Sequence, residues 1–145
     1  MTPDQVALVQ DSFTKVRPIA DTAADLFYGR LFEIAPEVRP MFPEDMRDQK
    51  KKLMAMLGLA VTNLHKPDVV VPALQTLGRQ HVSFGTKAAH YEPVGAALLW
   101  TLEQGLGPDF TPAVREAWVE TYGLVAGVMM AAASEIRRPD ATPTA

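Results

Sequence analysis

Apolar residues recur at every third or fourth position along most of the chain, and prolines and glycines divide this pattern into segments. Leu53, Leu57 and Val61 follow this spacing in one segment, and Trp118 and Tyr122 follow it in another. Such spacing places apolar side chains on one face of a helix, whereas a half-buried strand would alternate apolar and polar residues. The valines at 69–71 would suit a strand, but the run is short and continues into a helical pattern. The sequence therefore predicts an all-α protein.

Residues that start or stop helices set the expected boundaries. Thr2-Pro3 and Thr111-Pro112 each combine a capping hydroxyl with a proline at the first helical position. Asp68 is expected to cap the fourth helix, and the glycines at 105 and 107 to end the fifth. The predicted helices cover residues 3–17, 19–34, 46–64, 68–83, 91–106 and 112–137, with a turn at 36–42. We expect one domain over residues 1–138 and a disordered tail over 139–145.

Composition excludes several classes of protein. With 48% hydrophobic and 21% charged residues, the chain has enough apolar side chains to form a core. The 14 basic and 17 acidic residues provide no positive field for nucleic acid. The chain has no cysteine, which excludes disulfides, thiolate metal sites and covalent haem attachment. The N-terminus resembles no targeting segment, and no apolar run approaches the roughly 20 residues that span a bilayer, so a cytoplasmic location without a membrane span is expected.

Three polar residues on apolar helical faces are candidates for a functional site. His81 is the next position on the face that carries Leu77, and its imidazole could point into an apolar pocket. Gln49 lies one turn before Leu53, and Tyr28 lies within an aromatic segment. Each also has a structural interpretation. His81 could be a hydrogen-bonded core residue, Gln49 a polar residue at a helix start, and Tyr28 a core aromatic.

Over residues 4–133 the chain resembles the globin family, and in particular single-domain bacterial haemoglobins of the neuroglobin-like and Vitreoscilla-haemoglobin-like type. Several motifs occur in the family's order and spacing, which makes chance similarity a poor explanation. The resemblance implies a globin fold, with six to eight helices sandwiching a haem. The motifs are residues 26–32 (LFYGRLF), 36–42 (PEVRPMF), Gln49 with Leu53, 77–81 (LGRQH), Tyr91 with Val94, and 106–112 (LGPDFTP), followed by Trp118 and Tyr122.

The resemblance also assigns roles to individual residues. His81 matches the proximal histidine, the one protein ligand of an iron whose four other nitrogens come from a non-covalently held haem b. Lys52 matches a lysine that reaches a haem propionate in neuroglobin-like proteins, although Lys52 could equally belong to a solvated basic face at residues 50–52. The remaining positions matched to haem contacts are Phe42, Leu53, Leu77, Tyr91 and Val94.

Two departures from relatives bear on chemistry. Gln49 occupies a position that is histidine in neuroglobins, and because an amide is a poor iron ligand, Gln49 is expected to form a hydrogen-bonding pair with Tyr28 above the gas ligand. Flavohaemoglobins join Tyr91 to a glutamate in the last helix, but that position falls at Ala133. Glu135, the nearest acid, is turned roughly 200° away around the helix. Peroxidase activity is therefore expected to be weak.

The resemblance implies more than one function. The first is reversible binding of dioxygen at ferrous iron, for oxygen transport or storage, together with binding of other diatomic gases. The second is nitric oxide dioxygenation, a detoxification reaction. It would need a separate reductase, because the flavin and nicotinamide reductase of flavohaemoglobins does not fit in 145 residues. The third is a haem-based gas sensor, which would act through a partner protein.

Overall fold

The computed structural model describes residues 1–83 and 86–137, and all regular secondary structure in those two ranges is helical. The prediction of an all-α fold is therefore confirmed, and short 3-10 turns join the helices, including one at Pro36–Met41. The tail predicted at 139–145 lies outside the described residues. The six α-helices are α1 (Pro3–Val16), α2 (Ala20–Ile34), α3 (Arg47–Thr62), α4 (Pro67–Ser83), α5 (Tyr91–Leu106) and α6 (Pro112–Arg137).

Capping interactions explain why the helices begin and end where the sequence indicated. The Thr2 hydroxyl accepts a hydrogen bond from the Gln5 backbone N–H at 3.1 Å, and the Gln5 side chain accepts one from the Thr2 N–H at 3.0 Å. The Thr111 hydroxyl accepts from the Val114 N–H at 3.3 Å, at the start of α6. Helix α5 ends at Leu106 and is followed by Gly107, whose φ of +54° favours glycine.

The expected cap of α4 is wrong by two residues. The carbonyl of Lys66 accepts the first helical hydrogen bond, from the Val70 N–H at 3.0 Å, and the helix begins at Pro67. Asp68 lies inside the first turn. A proline fits the first helical position because it has no N–H to leave unsatisfied, and the charge of Asp68 then favours the positive end of the helix dipole.

The larger of two apolar cores lies where α1, α2, α3, α5 and α6 meet. Its most deeply buried large side chains are Trp118, Leu31 and Val9. The indole N–H of Trp118 donates to the Ser12 hydroxyl at 2.8 Å, so burial leaves neither polar group unsatisfied. This core fixes α2 against α5 and α1 against α6.

A second, smaller core holds α4 against α6. It is built around Val70, Leu74 and Met129, with Tyr91 at the start of α5. Helices α3 and α4 make only a small contact with each other, although each is packed firmly elsewhere. The larger core thus carries most of α3, and the smaller core carries α4 together with Ala60 of α3. We call these two surfaces the apolar walls. None of the described helices is long and apolar enough to cross a membrane.

The close packing of α4 on α6 depends on one glycine. A Cβ atom placed on Gly78 would lie 2.7 Å from the Cα of Met129 and would overlap its carbonyl. The obstacle is backbone, which cannot move aside as a flexible side chain could. Gly78 lies three residues before His81, so this contact also sets the position of the histidine.

Gly78→Ala is expected to lower the free energy of unfolding by about 1–3 kcal/mol, as overpacking of a core generally does. Chemical denaturation monitored by circular dichroism measures the change. Gly127→Ala is the matched control, because a Cβ at that α6 position meets nothing within 4 Å. There the exchange is expected to be neutral or to stabilise by up to about 1 kcal/mol. Equal stability of the two variants would contradict the backbone contact.

Candidate functional site

His81 lies near the C-terminal end of α4 and is half-buried. Its Nδ1 atom is 2.8 Å from the carbonyl oxygen of Leu77, one turn earlier. A carbonyl oxygen can only accept, so the proton of the neutral imidazole is on Nδ1 and the lone pair is on Nε2. A hydrogen bond of this kind orients a histidine ring and raises the basicity of the nitrogen that binds a metal.

The wall behind His81 is held by a tyrosine between α5 and α6. The Tyr122 hydroxyl donates to the backbone carbonyl of Tyr91 at 2.5 Å. A Cβ on Gly95 would lie 2.6 Å from the Tyr122 ring, so the glycine makes room for this tyrosine. Burial raises the pKa of Tyr122 well above its ordinary value, and Tyr91 nearby raises it further. The phenol is therefore neutral over the physiological range.

Ala133 and Glu135 lie as the helical spacing predicts. Ala133 is buried on α6, whereas Glu135 is exposed. The Glu135 carboxylate is therefore exposed to solvent, and it cannot replace an acid that would be buried at position 133. Tyr91 itself is buried at the start of α5, within the core that carries α4.

The structure brings Tyr28 and Gln49 together on the opposite wall. The side-chain amide of Gln49 donates to the Tyr28 hydroxyl oxygen at 3.1 Å, and Tyr28 is only 4% exposed. Burial raises the pKa of Tyr28, an effect that outweighs the lowering by the Gln49 hydrogen bond. Tyr28 is thus a neutral phenol. Because its oxygen already accepts from Gln49, its own O–H remains a donor.

An aromatic cluster fixes the ring of Tyr28. Phe27 meets it edge-on with ring centroids 5.0 Å apart, and Phe42 does the same at 5.5 Å. Phe32 lies 5.9 Å away and also contacts Phe42. These contacts connect Phe42 to Tyr28 and Gln49, which we call the distal pair, and they limit the positions that the Tyr28 hydroxyl can take.

Arg39 supports this cluster and was not among the residues singled out from the sequence. Its guanidinium donates to the carbonyls of Phe42 at 3.3 Å and Pro43 at 3.0 Å, and to that of Glu44 at 3.3 Å. It also lies over the ring of Phe32 at 5.1 Å. The motif PEVRPMF contains this arginine. From the sequence alone, a charged residue in a turn is expected to be exposed to solvent, and the direction of the nearby carbonyls becomes known only from the structure.

The residues expected around a cofactor divide between the two walls. Tyr28, Phe42, Leu53 and Val94 belong to or pack against the larger core, and Leu77 packs against the smaller one. The four aliphatic and phenyl side chains among them are half-buried, so each keeps some apolar surface that protein does not cover. Lys52 is exposed on α3. Two apolar walls, with a histidine on one and a hydrogen-bond donor on the other, suit a flat apolar cofactor.

A metal held by side chains alone does not suit this site. Among residues 1–83 and 86–137, no three or more histidine, cysteine, aspartate or glutamate side chains are grouped so that they could hold a metal. An iron bound by His81 would therefore take its other ligands from a non-protein group. A porphyrin supplies four nitrogens in a plane, and its apolar faces match the half-buried walls.

Comparison with known proteins agrees with this arrangement. The model of the Globin family matches residues 25–129, which includes α3, α4, α5 and both walls of the site. The chain belongs to the globin family. Membership of this family implies a haem cofactor.

Similar proteins include flavohemoproteins of bacteria. One from Rhodopirellula baltica is 32% identical over 128 residues, which cover 86% of this globin and 31% of the relative. Another from Bacillus subtilis is 27% identical over 124 residues, covering 83% of this globin and 31% of the relative. The chain thus spans about a third of the length of these relatives.

Solved structures with the same fold are nearly the same length as this globin. A bacterial globin from Campylobacter jejuni superposes with a TM-score of 0.83 at 26% identity, covering 93% of this chain and 98% of that one. An engineered carbene transferase, derived from a proposed nitric oxide dioxygenase of Rhodothermus marinus, gives a TM-score of 0.85 at 25% identity. The coverage there is 94% of this chain and 95% of that one.

The buried tyrosines predict a loss of stability in alkali. Native Tyr28 and Tyr122 keep their protons above the ordinary tyrosine pKa of 10.0, where the unfolded chain loses them. The free energy of unfolding is unaffected by these groups below pH 10, where both states are protonated. Above pH 10 it falls, by at most about 1.4 kcal/mol per pH unit for each tyrosine, because the folded chain holds protons that the unfolded chain has lost. Denaturation curves between pH 8 and about pH 11.5 measure the slope. Tyr122→Phe should flatten it, and an unchanged slope would contradict this account.

Proposed function

We propose that this globin holds haem b through His81 and binds dioxygen reversibly at the ferrous iron. The observation that carries the proposal is the hydrogen bond from Gln49 to the Tyr28 oxygen, at 3.1 Å. In this hydrogen bond the Tyr28 oxygen is the acceptor, so the Tyr28 O–H can still donate to a bound ligand. Dioxygen is polar when bound to ferrous haem, so a neutral donor in a buried position favours it.

Haem, when bound, supplies an open coordination position for a diatomic gas. The protein's part is to orient His81 through the Leu77 carbonyl, and to present the Tyr28 O–H from the opposite wall. Gln49 holds the phenol in place and, as an amide, is a poor ligand for iron. With haem bound, we therefore expect His81 to be the one protein ligand of the iron in the ferrous, gas-free protein.

Nitric oxide dioxygenation is the second candidate, and the names of similar proteins favour it. Flavohemoproteins are among the relatives, and one structural neighbour derives from a proposed nitric oxide dioxygenase. The reaction joins dioxygen and nitric oxide to give nitrate and consumes one electron per turnover. A reductase must supply that electron. The same Tyr28 donor would serve both functions.

Nitric oxide consumption under aerobic conditions distinguishes the two candidates. The purified globin is given nicotinamide cofactor and a flavin reductase, with an omission of the reductase as control. Repeated turnover with the stoichiometric formation of nitrate supports the dioxygenase. A single turnover, followed by accumulation of the ferric protein although the reductase is active on free ferric haem, supports oxygen binding as the main function.

Replacement of His81 tests the haem assignment. His81→Ala is expected to lose most of its haem during purification, because the proposed bond between protein and iron is removed. The ratio of haem to protein, from the pyridine haemochromogen spectrum, measures the loss and also identifies haem b. His65→Ala is the matched control, since His65 is exposed in the turn that follows α3. Unchanged haem content and axial ligation in His81→Ala would refute the assignment.

Replacement of Tyr28 tests the distal donor. Hydrogen bonds to charged groups contribute about 1.5–3 kcal/mol, which corresponds to roughly a 10- to 150-fold change in a rate. Tyr28→Phe is therefore expected to accelerate dioxygen release by that factor, as measured by stopped-flow displacement. Carbon monoxide release should change much less, because that ligand is less polar when bound.

Gln49→Leu provides the comparison for the same measurement. If Gln49 acts by orienting Tyr28, its loss should have the smaller effect, and the double variant should resemble Tyr28→Phe alone. A rate of dioxygen release in Tyr28→Phe within about threefold of wild type would contradict the role as a donor, because even 1.4 kcal/mol corresponds to a tenfold change. Tyr28 would then be only a core aromatic residue.

A further inference from the structure

A surface pocket opens between α1 and the C-terminal end of α3, and none of the residues matched to haem contacts lines it. Its volume is about 290 Å³, and pockets that hold small organic ligands begin at about 300 Å³. The lining contains one arginine and one histidine but no acidic side chain. Its polar residues are Gln10, Thr14, Arg17, Thr62 and His65.

The arginine of this pocket is held in place without a carboxylate. The Arg17 guanidinium lies 4.9 Å from the centre of the Phe13 ring and donates to the Thr62 hydroxyl at 3.1 Å. Among the residues that the structure describes, no acid forms an ion pair with Arg17, whereas Arg30 and Arg47 each have one. Because α1 and α3 already restrain the guanidinium, an anion that binds it would cost little additional side-chain entropy.

Free hydrogen-bond donors surround this charge. The Thr62 oxygen accepts from Arg17, so the Thr62 O–H can still donate. Within residues 1–83 and 86–137, neither that O–H nor the remaining N–H groups of Arg17 have an acceptor. A planar guanidinium beside a hydroxyl group matches the two oxygens of a carboxylate. This end of the pocket therefore suits a carboxylate anion.

The other end of the pocket offers one donor and one acceptor. The Gln10 Nε2 atom donates to the carbonyls of Val61 at 3.1 Å and Thr62 at 3.4 Å, so this nitrogen faces α3. It also lies 3.3 Å from Nδ1 of His65, which must then be the acceptor. The neutral imidazole of His65 therefore carries its proton on Nε2, where it can donate.

Gln10 contributes the acceptor. No group in the described part of the chain donates to its Oε1 atom, because the contacts of this amide all involve the nitrogen. A ligand hydroxyl both accepts and donates a hydrogen bond, so it can pair with His65 Nε2–H and with Gln10 Oε1. The pocket thus combines a carboxylate end with a hydroxyl end.

We propose that this pocket binds a small hydroxycarboxylate anion. The carboxylate pairs with the Arg17 guanidinium and accepts from the Thr62 O–H, while the ligand hydroxyl pairs with His65 and Gln10. The chain has a net charge of −3, so the attraction comes from this one site and not from a general positive field. His81 and Tyr28 have no part in this site, which is therefore separate from the proposed function.

Titration with glycolate, the smallest hydroxycarboxylate, tests the proposal. Backbone amide chemical shifts of the full chain are followed by NMR, in the carbon monoxide complex so that ferrous haem iron is diamagnetic. Saturable shift changes are expected at Gln10, Arg17, Thr62 and His65. Glycolamide, the uncharged counterpart of glycolate, should produce none at the same concentrations, and inorganic phosphate should bind more weakly than glycolate.

Variants of the two ends of the pocket separate the two contacts. Arg17→Met should weaken glycolate binding at least about tenfold, because the charge-assisted hydrogen bonds are lost. Arg17→Lys should recover only part of the affinity, because an ammonium lacks the planar pair of donors. His65→Ala should remove the preference for glycolate over acetate and leave acetate binding unchanged. Arg115→Met, at an exposed arginine of α6, is the matched control and should bind glycolate like wild type.

Three results would overturn the proposal. Equal binding of glycolate and glycolamide would show that the charge of Arg17 is not used. Glycolate affinity in Arg17→Met equal to that in Arg115→Met would place the anion elsewhere. Phosphate binding as tightly as glycolate would show a surface that selects charge alone. If Arg17→Met fails to fold, the choice of wild type between glycolate and glycolamide, and the location of the shift changes, still decide the outcome.

Discussion

The contact between the backbones of α4 and α6 at Gly78 governs the geometry of the site. It brings the two helices closer than any side chain would allow, and it fixes the height of α4 above the smaller core. His81 follows three residues later, and the Leu77 carbonyl then sets the rotation of its ring. Position and orientation of the proposed iron ligand thus come from a missing side chain and a backbone oxygen.

The opposite wall is governed by a polar pair in an apolar setting. Burial keeps the Tyr28 phenol neutral, and Gln49 satisfies its oxygen without removing its ability to donate. The aromatic cluster around Tyr28 depends in turn on Arg39, which ties together the carbonyls of the segment that carries Phe42. A surface charge therefore supports the placement of a buried donor.

The sequence predicted the helices well because their determinants are local. Apolar spacing, the Thr2 and Thr111 caps and the stop at Gly107 act within one or two turns, and the observed helix boundaries follow them closely. Asp68 was misplaced because Pro67 competes for the same turn, and the first helical hydrogen bond goes to Lys66.

The site was less predictable because its determinants come from residues far apart in the chain. The helical spacing placed His81 and Gln49 on apolar faces, and the resemblance to globins assigned roles to both and to Tyr28. The direction of the Gln49 hydrogen bond appears only once α2 and α3 are packed. Arg39 and Gly78 depend likewise on what lies opposite them. Apolar periodicity identifies a buried face, yet it does not identify the partner that the face meets.

The small contact between α3 and α4 has a consequence for the stability of the folded chain. The two cores share Tyr122, and the half-buried apolar side chains of the two walls keep surface that a bound group could cover. A ligand that binds only the folded chain stabilises it in proportion to the logarithm of its free concentration. A group that covers these walls would therefore raise the folded fraction of the chain as its own free concentration rises.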